Sequence, residues 1–405
     1  MERVSVEVWQ QILLKVMDPP IFATSCTPYS FLCVVTLHSW QKGQKKLYLE
    51  YQEQRRRLQL VCRAWNEFVL LTSHRWLLLE GRNPIYELDP TTTTRVKGGV
   101  GPVENLFTLI RQCDMVAPTL SWVSHILKRP ANHSPLRAYA LRVLETPVVG
   151  YNPLDLLVGT TTQDPECTNT TLRSLSINAK LSPIVSISFS QISRNFTGLR
   201  SLSLRAVTAA PQQTLSLPHL EVLWLEFWHQ EWEELRRSIE TWDTPALRHV
   251  CLGHFRTPLT GVLDHFLGRY AHQIETLVLS EFGSYSSPCL DLPSGFWAQF
   301  PALRLLGLDY RTIERKGWSG WSVMPPPTHP CRYLVCRSYR PVAERELECE
   351  VRRVVDGICS RWTWRDGVRL VAGIAGLGRY YIVKNIRDSP SIANMESTIG
   401  ILPEL

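Results

Sequence analysis

Long apolar runs are missing from this 405-residue sequence, and so are the paired cysteines of redox and zinc sites. The most apolar run, Leu370 to Gly378, has nine residues, far short of the roughly 20 that a membrane-spanning helix needs. The longest uncharged stretch, Pro19 to Gln41, carries three prolines and six Ser/Thr residues, so no membrane partner is expected. Eleven cysteines lie scattered from Cys26 to Cys359 with no CxxC, which predicts reduced thiols rather than a disulfide framework. Glu2, Arg3 and Glu7 fall where a leader would be apolar, so secretion is not expected. The sequons at Asn132, Asn169 and Asn195 then carry no weight, and the expected location is cytoplasm or nucleus.

Catalytic signatures are lacking too. Gly373-x-x-Gly376-x-Gly378 reverses the dinucleotide-binding order, and Gly98 to Gly101 lacks the Gly-Lys-Ser/Thr ending of a phosphate loop. No Gly-x-Ser-x-Gly elbow occurs. His249, Cys251 and His254 have no second ligand pair, so no zinc is expected. These absences predict a non-enzymatic chain with no metal, cofactor or catalytic residue. A formal charge of +7 and a pI near 8.8 without a recognition motif also argue against nucleic acid as partner. Lys45-Lys46 and Arg55 to Arg57 read as a solvated helix face in preference to a nuclear-import signal.

What is present is a repeat. The pattern Leu-x-x-Leu-x-Leu, with Ile or Val allowed, occurs as Leu172-Leu175-Ile177, Leu199-Leu202-Leu204, Leu220-Leu223-Leu225, Leu247-Val250-Leu252, Ile274-Leu277-Leu279 and Leu303-Leu306-Leu308. Its first positions are 27, 21, 27, 27 and 29 residues apart. Cys331-Leu334-Cys336 extends the series, and Leu136-Tyr139-Leu141 is read as a possible opening unit. A strand alternates its side chains between two faces, and one strand cannot bury an apolar edge alone. Successive units must therefore stack in parallel, joined by crossovers of a dozen or more residues. Helical spacing through Trp228, Trp232, Leu235, Ile239 and Trp242, and again from Leu259 to Tyr270, supplies two of them. Ser294 to Phe300 reads as one helical turn, while Pro183 to Phe196 fits strand or helix.

The second position of each unit holds Arg173, Arg200, Glu221, Arg248, Glu275 and Arg304. Neighbouring parallel strands lie about 4.8 Å apart, so from Arg200 onward each charge meets its opposite. Two readings stay open: a solvated ion-pair ladder, or a client-binding concave face with Trp224 exposed as an anchor. His249 and Cys251 are expected to point outward.

These units resemble the leucine-rich-repeat family from Leu172 to Leu308 and on to Cys336. That family usually places Asn or Cys nine positions into each unit. Here Lys180, Val207, Trp228, Phe255, Phe282 and Arg311 stand there, and the three aromatics are expected to pack in place of an Asn ladder. The resemblance implies an irregular α/β solenoid with strands on the concave side and helices on the convex side.

The N-terminus carries a second pattern. An amphipathic helix opens at Ser5, with Val8, Trp9, Ile12, Leu13 and Val16 as its stripe. Leu47, Tyr51, Leu58, Val61, Trp65 and Phe68 continue the helical spacing, with Glu53 four residues before Arg57 in support. Trp76 to Leu79 follow as a short extended run. Glu7-x-Trp9-x-x-Ile12-Leu13, Leu60-Val61-Cys62-Arg63-x-Trp65 and Trp76 together resemble the F-box motif. Ser5 stands where that family usually has Pro, and Asp18 to Arg57 separate the halves, an insertion like those of fungal F-box families.

The resemblance implies that Trp9, Ile12, Leu13, Leu60, Val61 and Trp65 dock on the adaptor subunit of an SCF-type (cullin–RING) ubiquitin ligase. The repeats would then hold an unidentified client protein through Arg173, Arg200, Glu221, Trp224, Arg248, Glu275 and Arg304. The alternative is a repeat scaffold with no role in ubiquitination. The expected organisation is a helical F-box-like unit over 1–80 with insertion 18–57, a helical connector and possible first repeat over 81–165, repeats over 166–340, and an Arg-rich cap over 341–405.

Overall fold

The computed structural model describes residues 5–16, 40–71, 76–80, 105–109, 140–147, 154, 172–178, 186–209, 214–227, 239–254, 268–281, 295–309, 325–338, 349, 353, 368–374, 379–383 and 395–397. Where apolar side chains recur every three or four positions near the N-terminus, three helices form: α1 (Val6–Val16), α2 (Trp40–Gln59) and α3 (Arg63–Leu71). Ser5 opens α1 as its sequence suggests, the hydroxyl accepting from the Val8 N–H at 3.4 Å. That satisfies one of the donors a helix start leaves over.

The spacing from Leu47 to Phe68 belongs to two helices. Between them the Val61 N–H bonds the Leu58 carbonyl at 3.2 Å and the chain turns through Leu60 to Cys62. Leu13 and Val69, at 3% and 0% exposure, centre a small core with Leu14, Leu58, Trp65 and Phe68 against it. The anticipated Glu53–Arg57 pair is present at 3.1 Å.

The rest is dominated by strands: β1 (Trp76–Glu80), β2 (Asn105–Leu109), β3 (Ala140–Pro147), β4 (Ser174–Asn178), β5 (Ser186–Ile187), β6 (Ser201–Ala209), β7 (Val222–Phe227), β8 (His249–His254), β9 (Thr276–Glu281), β10 (Leu305–Asp309), β11 (Tyr333–Ser338), β12 (Arg369–Ile374), β13 (Arg379–Val383) and β14 (Met395–Ser397). They bond in chain order, except that β5 lies off the path against β6. Every pairing up to β12 is parallel. The β12–β13 and β13–β14 pairings are antiparallel. The chain is an α/β protein in which each repeat unit from Leu172 to Cys336 supplies one strand of the main sheet path.

Register and repeat coincide. Leu175 pairs with Leu202, Leu202 with Leu223, Leu223 with Val250, and so on through Leu277, Leu306 and Leu334 to Leu370. Ahead of the strands a tight turn recurs, with the Leu199, Leu220, Leu247, Ile274 and Leu303 N–H groups bonding carbonyls three residues back at 3.1–3.4 Å. Each turn buries its leucine or isoleucine to 0% exposure. The ambiguous spacer Pro183 to Phe196 holds both elements, the short strand β5 and then α4 (Phe189–Asn195), capped by Ser188, whose hydroxyl accepts from the Gln191 N–H at 3.2 Å. The single turn before β10 forms as α5 (Phe296–Gln299).

Several expectations need correction. The sheet begins at β1, inside the segment assigned to the helical unit, and β2 and β3 continue it through the presumed connector. Leu144 pairs with Leu175, so the unit in β3 is read from Leu141 and Leu144, not from Leu136 and Tyr139. The parallel series runs past residue 340 to β12. Most of the expected Arg-rich cap over 341–405 and most of the helical spacers 228–242 and 259–270 lie outside the described residues, as do the nine-position residues Trp228, Phe255 and Phe282.

The largest correction concerns the second face of the sheet. Ser174, Ser176, Ser201, Ser203, Val222, Trp224, Cys251, Thr276, Val278 and Leu305 are all 0% exposed, and His249 is 2% exposed. Over β4 to β12 the described residues of the sheet are buried on both sides, as those of parallel sheets usually are. Trp224, His249 and Cys251 therefore do not project into solvent, and no open recognition face exists at those positions.

Candidate docking surfaces

Helix α1 splits its apolar side chains between two tasks. Leu13 and Leu14 face the local core. Val8, Ile12 and Val16, each four residues apart and thus one above the other on a helix, are 48%, 41% and 36% exposed. Trp9 lies beside them at 43% exposure, its ring 6.0 Å from that of Trp65 and tilted by 47°. At the turn between α2 and α3, Leu60 and Val61 are 86% and 58% exposed.

Of the six residues expected to dock on a partner, Trp9, Ile12, Leu60 and Val61 are thus presented to solvent. Leu13 is core, because it meets Val69, and Trp65 is half-buried behind Trp9. Val8 and Val16 belong with the exposed set, as does Leu49 on α2 at 52%. The step of four from Val8 to Val16 was visible in the sequence, but which side of the stripe faces inward was not. Two exposed ion pairs, Glu53–Arg57 at 3.1 Å and Arg63–Glu67 at 2.9 Å, flank the turn. Glu7, hydrogen-bonded through backbone N–H and the Ser5 hydroxyl, titrates below the usual carboxylate range.

The second candidate surface is the edge of the sheet where the strands begin. Arg173, Arg200, Glu221, Arg248, Glu275 and Arg304 stand immediately ahead of β4, β6, β7, β8, β9 and β10, in the turns and not on a sheet face. The backbone holds them in line. Each residue's carbonyl accepts two N–H bonds from the next unit, as Arg173 does from Arg200 and Ser201 at 2.8 and 3.0 Å. Arg332, ahead of β11, extends the row and was missed because its repeat is degenerate. The anticipated ion pairs form at Arg200–Glu221, 3.8 Å, and Arg248–Glu275, 3.0 Å. Both are solvent-exposed, so each contributes at most about 1 kcal/mol.

Where the strands end, the buried face carries a polar cluster. Arg205 Nε donates to Glu226 Oε2 at 2.8 Å, with side chains 4% and 0% exposed. Trp224 Nε1 donates to Glu226 Oε1 at 2.7 Å, and the Arg205 guanidinium carbon lies 4.9 Å from the Trp224 ring centroid. Gly253 faces Glu226 across the register, where a Cβ would come within 2.6 Å of Glu226 Cγ. Gly253→Ala is accordingly expected to displace this carboxylate and lower stability by about 1–3 kcal/mol, read as a shift in the urea midpoint. Further along the same face His249 Nδ1 is 3.1 Å from Thr276 Oγ1. Burial, with the Arg248 charge, lowers its pKa to about 3.

These groups are locked against one another, so the arrangement offers framework more than chemistry. Among the described residues no cluster of three or more metal-ligating side chains occurs, and no helix is long and apolar enough to cross a membrane. No protein-family model matches the chain, and no curated protein matches it.

Proposed function

We propose that this chain is the substrate-recognition subunit of an SCF-type ubiquitin ligase. In this reading an F-box formed by α1, α2 and α3 docks on the adaptor, and a leucine-rich-repeat solenoid holds the client. The chain does no chemistry itself: it raises the effective concentration of the client's lysines near ubiquitin carried by the complex. It acts in cytoplasm or nucleus.

One observation supports the docking half. Among the described residues, the large hydrophobic side chains left exposed run from Val6 to Val61, all on the N-terminal helices and the turn between α2 and α3, while those described in β4 to β12 are buried. Val8, Ile12 and Val16 share one face of α1 with Trp9 beside them, and a grouped exposed apolar patch marks an interaction site. The residues that form it include four that the motif resemblance had singled out independently.

Co-purification of the full chain with the adaptor tests the reading. Ile12→Asp and Leu60→Asp replace exposed side chains, so both variants stay folded, and each is expected to weaken adaptor binding by about 2 kcal/mol or more, as a hot-spot residue does. Trp65→Ala is a poorer probe, because Trp65 also packs in the small core. A folded wild-type chain that ignores the adaptor would exclude the ligase and leave the repeat scaffold.

A further inference from the structure

Along the edge where the strands begin, the charges read Arg173, Arg200, Glu221, Arg248, Glu275, Arg304, Arg332. The middle alternates and neutralises itself through the two ion pairs. Both ends double up on arginine, and at the first of them Arg200 also pairs with Glu221 at 3.8 Å while Arg173 Nη1 donates to the Gly198 carbonyl at 2.8 Å. Like charges held side by side are destabilising, so a ladder serving stability alone would alternate to its ends. The Arg173 guanidinium is held below its usual pKa by burial and by the Arg200 charge, as expected of two adjacent cations. Arg304 and Arg332 are both exposed on neighbouring strands, with Arg332 Nη1 fixed on the His329 carbonyl at 3.3 Å. Five arginines against two glutamates leave the edge at +3.

We propose that this strand-start edge binds an extended acidic segment of a client protein, whose carboxylates sit on the arginine pairs Arg304/Arg332 and Arg173/Arg200. Guanidinium is the fitting partner, because its planar fork takes a carboxylate through two parallel hydrogen bonds. The spacing sets the length. From the midpoint of one pair to the midpoint of the other is five strand intervals, or about 24 Å at ~4.8 Å each. An extended chain rises about 3.4 Å per residue, so roughly seven residues bridge the two pairs. The occupant lies across the strand starts, outside the buried faces, and leaves the sheet undisturbed. This names the chemistry of the client and rests on the receptor reading, but the binding itself requires no adaptor.

The test is fluorescence anisotropy with the full-length chain and a labelled nonapeptide alternating Glu and Ser. The comparison ligands are its Gln/Ser counterpart and a short DNA duplex. The Glu peptide is expected to bind saturably and to weaken as salt screens the contact. The Gln peptide, and the Glu peptide with the Arg304→Glu/Arg332→Glu variant, are each expected to bind at least about tenfold less tightly, the factor for one lost charge-assisted contact. Arg57→Glu, on α2, should change nothing. Circular dichroism confirms that each variant is folded, and adaptor binding measured on the same preparations should survive in the double variant. A failure of adaptor docking is thus read separately from a failure of the edge. The proposal is overturned by no saturable binding, by equal affinity for the Gln peptide, or by an unaffected double variant. Tighter binding of the duplex that the double variant abolishes also overturns it, making the edge a nucleic-acid surface.

Discussion

Replacing Glu226 by Ala is expected to lower the unfolding free energy by about 3–5 kcal/mol, the usual cost of removing one partner from a buried ion pair. Arg205, at 3% exposure, would lose the carboxylate that its Nε donates to. The Trp224 indole N–H would lose its acceptor at the same time. Urea denaturation, followed by tryptophan fluorescence and far-UV circular dichroism together, measures the change. The double variant Arg205→Met/Glu226→Leu supplies the control. It removes both charges and keeps the volume, so it is expected to recover most of the loss, since an apolar replacement of a buried pair is often neutral or better. A double variant as unstable as Glu226→Ala would show that packing, not uncompensated charge, dominates at this site.

Acidification should act through His249. Its folded pKa of about 3 lies below the ordinary imidazole value of 6.5, so between those values the unfolded chain binds the proton more readily. Stability attributable to His249 is therefore whole above pH 6.5 and is lost as pH falls toward 3. The slope from this one group approaches ~1.4 kcal/mol per pH unit. The causes are desolvation first and the neighbouring Arg248 charge second. Denaturant midpoints measured from pH 7 to pH 4 should fall more steeply for wild type than for His249→Gln, which leaves Thr276 a hydrogen-bonding partner but cannot take up a proton. Parallel curves would mean that His249 stays accessible to protons in the folded chain.

Both predictions concern the face of the sheet that sequence reasoning misassigned. His249 and Cys251 read as outward-facing, and Trp224 as an exposed anchor in one reading, because alternate strand positions point to opposite faces. Here Ser174, Ser201, His249 and Thr276 are buried, and what decides this is the covering of the second face, a long-range event with no local signal. Trp224 illustrates the difficulty. Its place in the strand is the same whether it is an exposed anchor or the lid over Glu226. A hint did exist in Arg205 and Glu226, whose opposite charges occupy the same column of adjacent units.

The candidate docking residues divide in the same way. That α1 is amphipathic follows from spacing alone, and so does the apolar turn at Leu60 and Val61. That Leu13 turns inward while Ile12 turns outward depends on where α3 places Val69. The break between α2 and α3 was equally hidden, since apolar spacing continues across it.

The amino-acid order alone determined the strand register and the row of charges at the strand starts. Both are set within single repeat units, and parallel stacking copies each unit's geometry onto the next. Tertiary structure decided which face of each element meets solvent, and thereby which of Leu13, Trp224 and His249 serve the framework. A side chain's burial depends on distant chain brought against it, and the energy of that contact is written in no single segment.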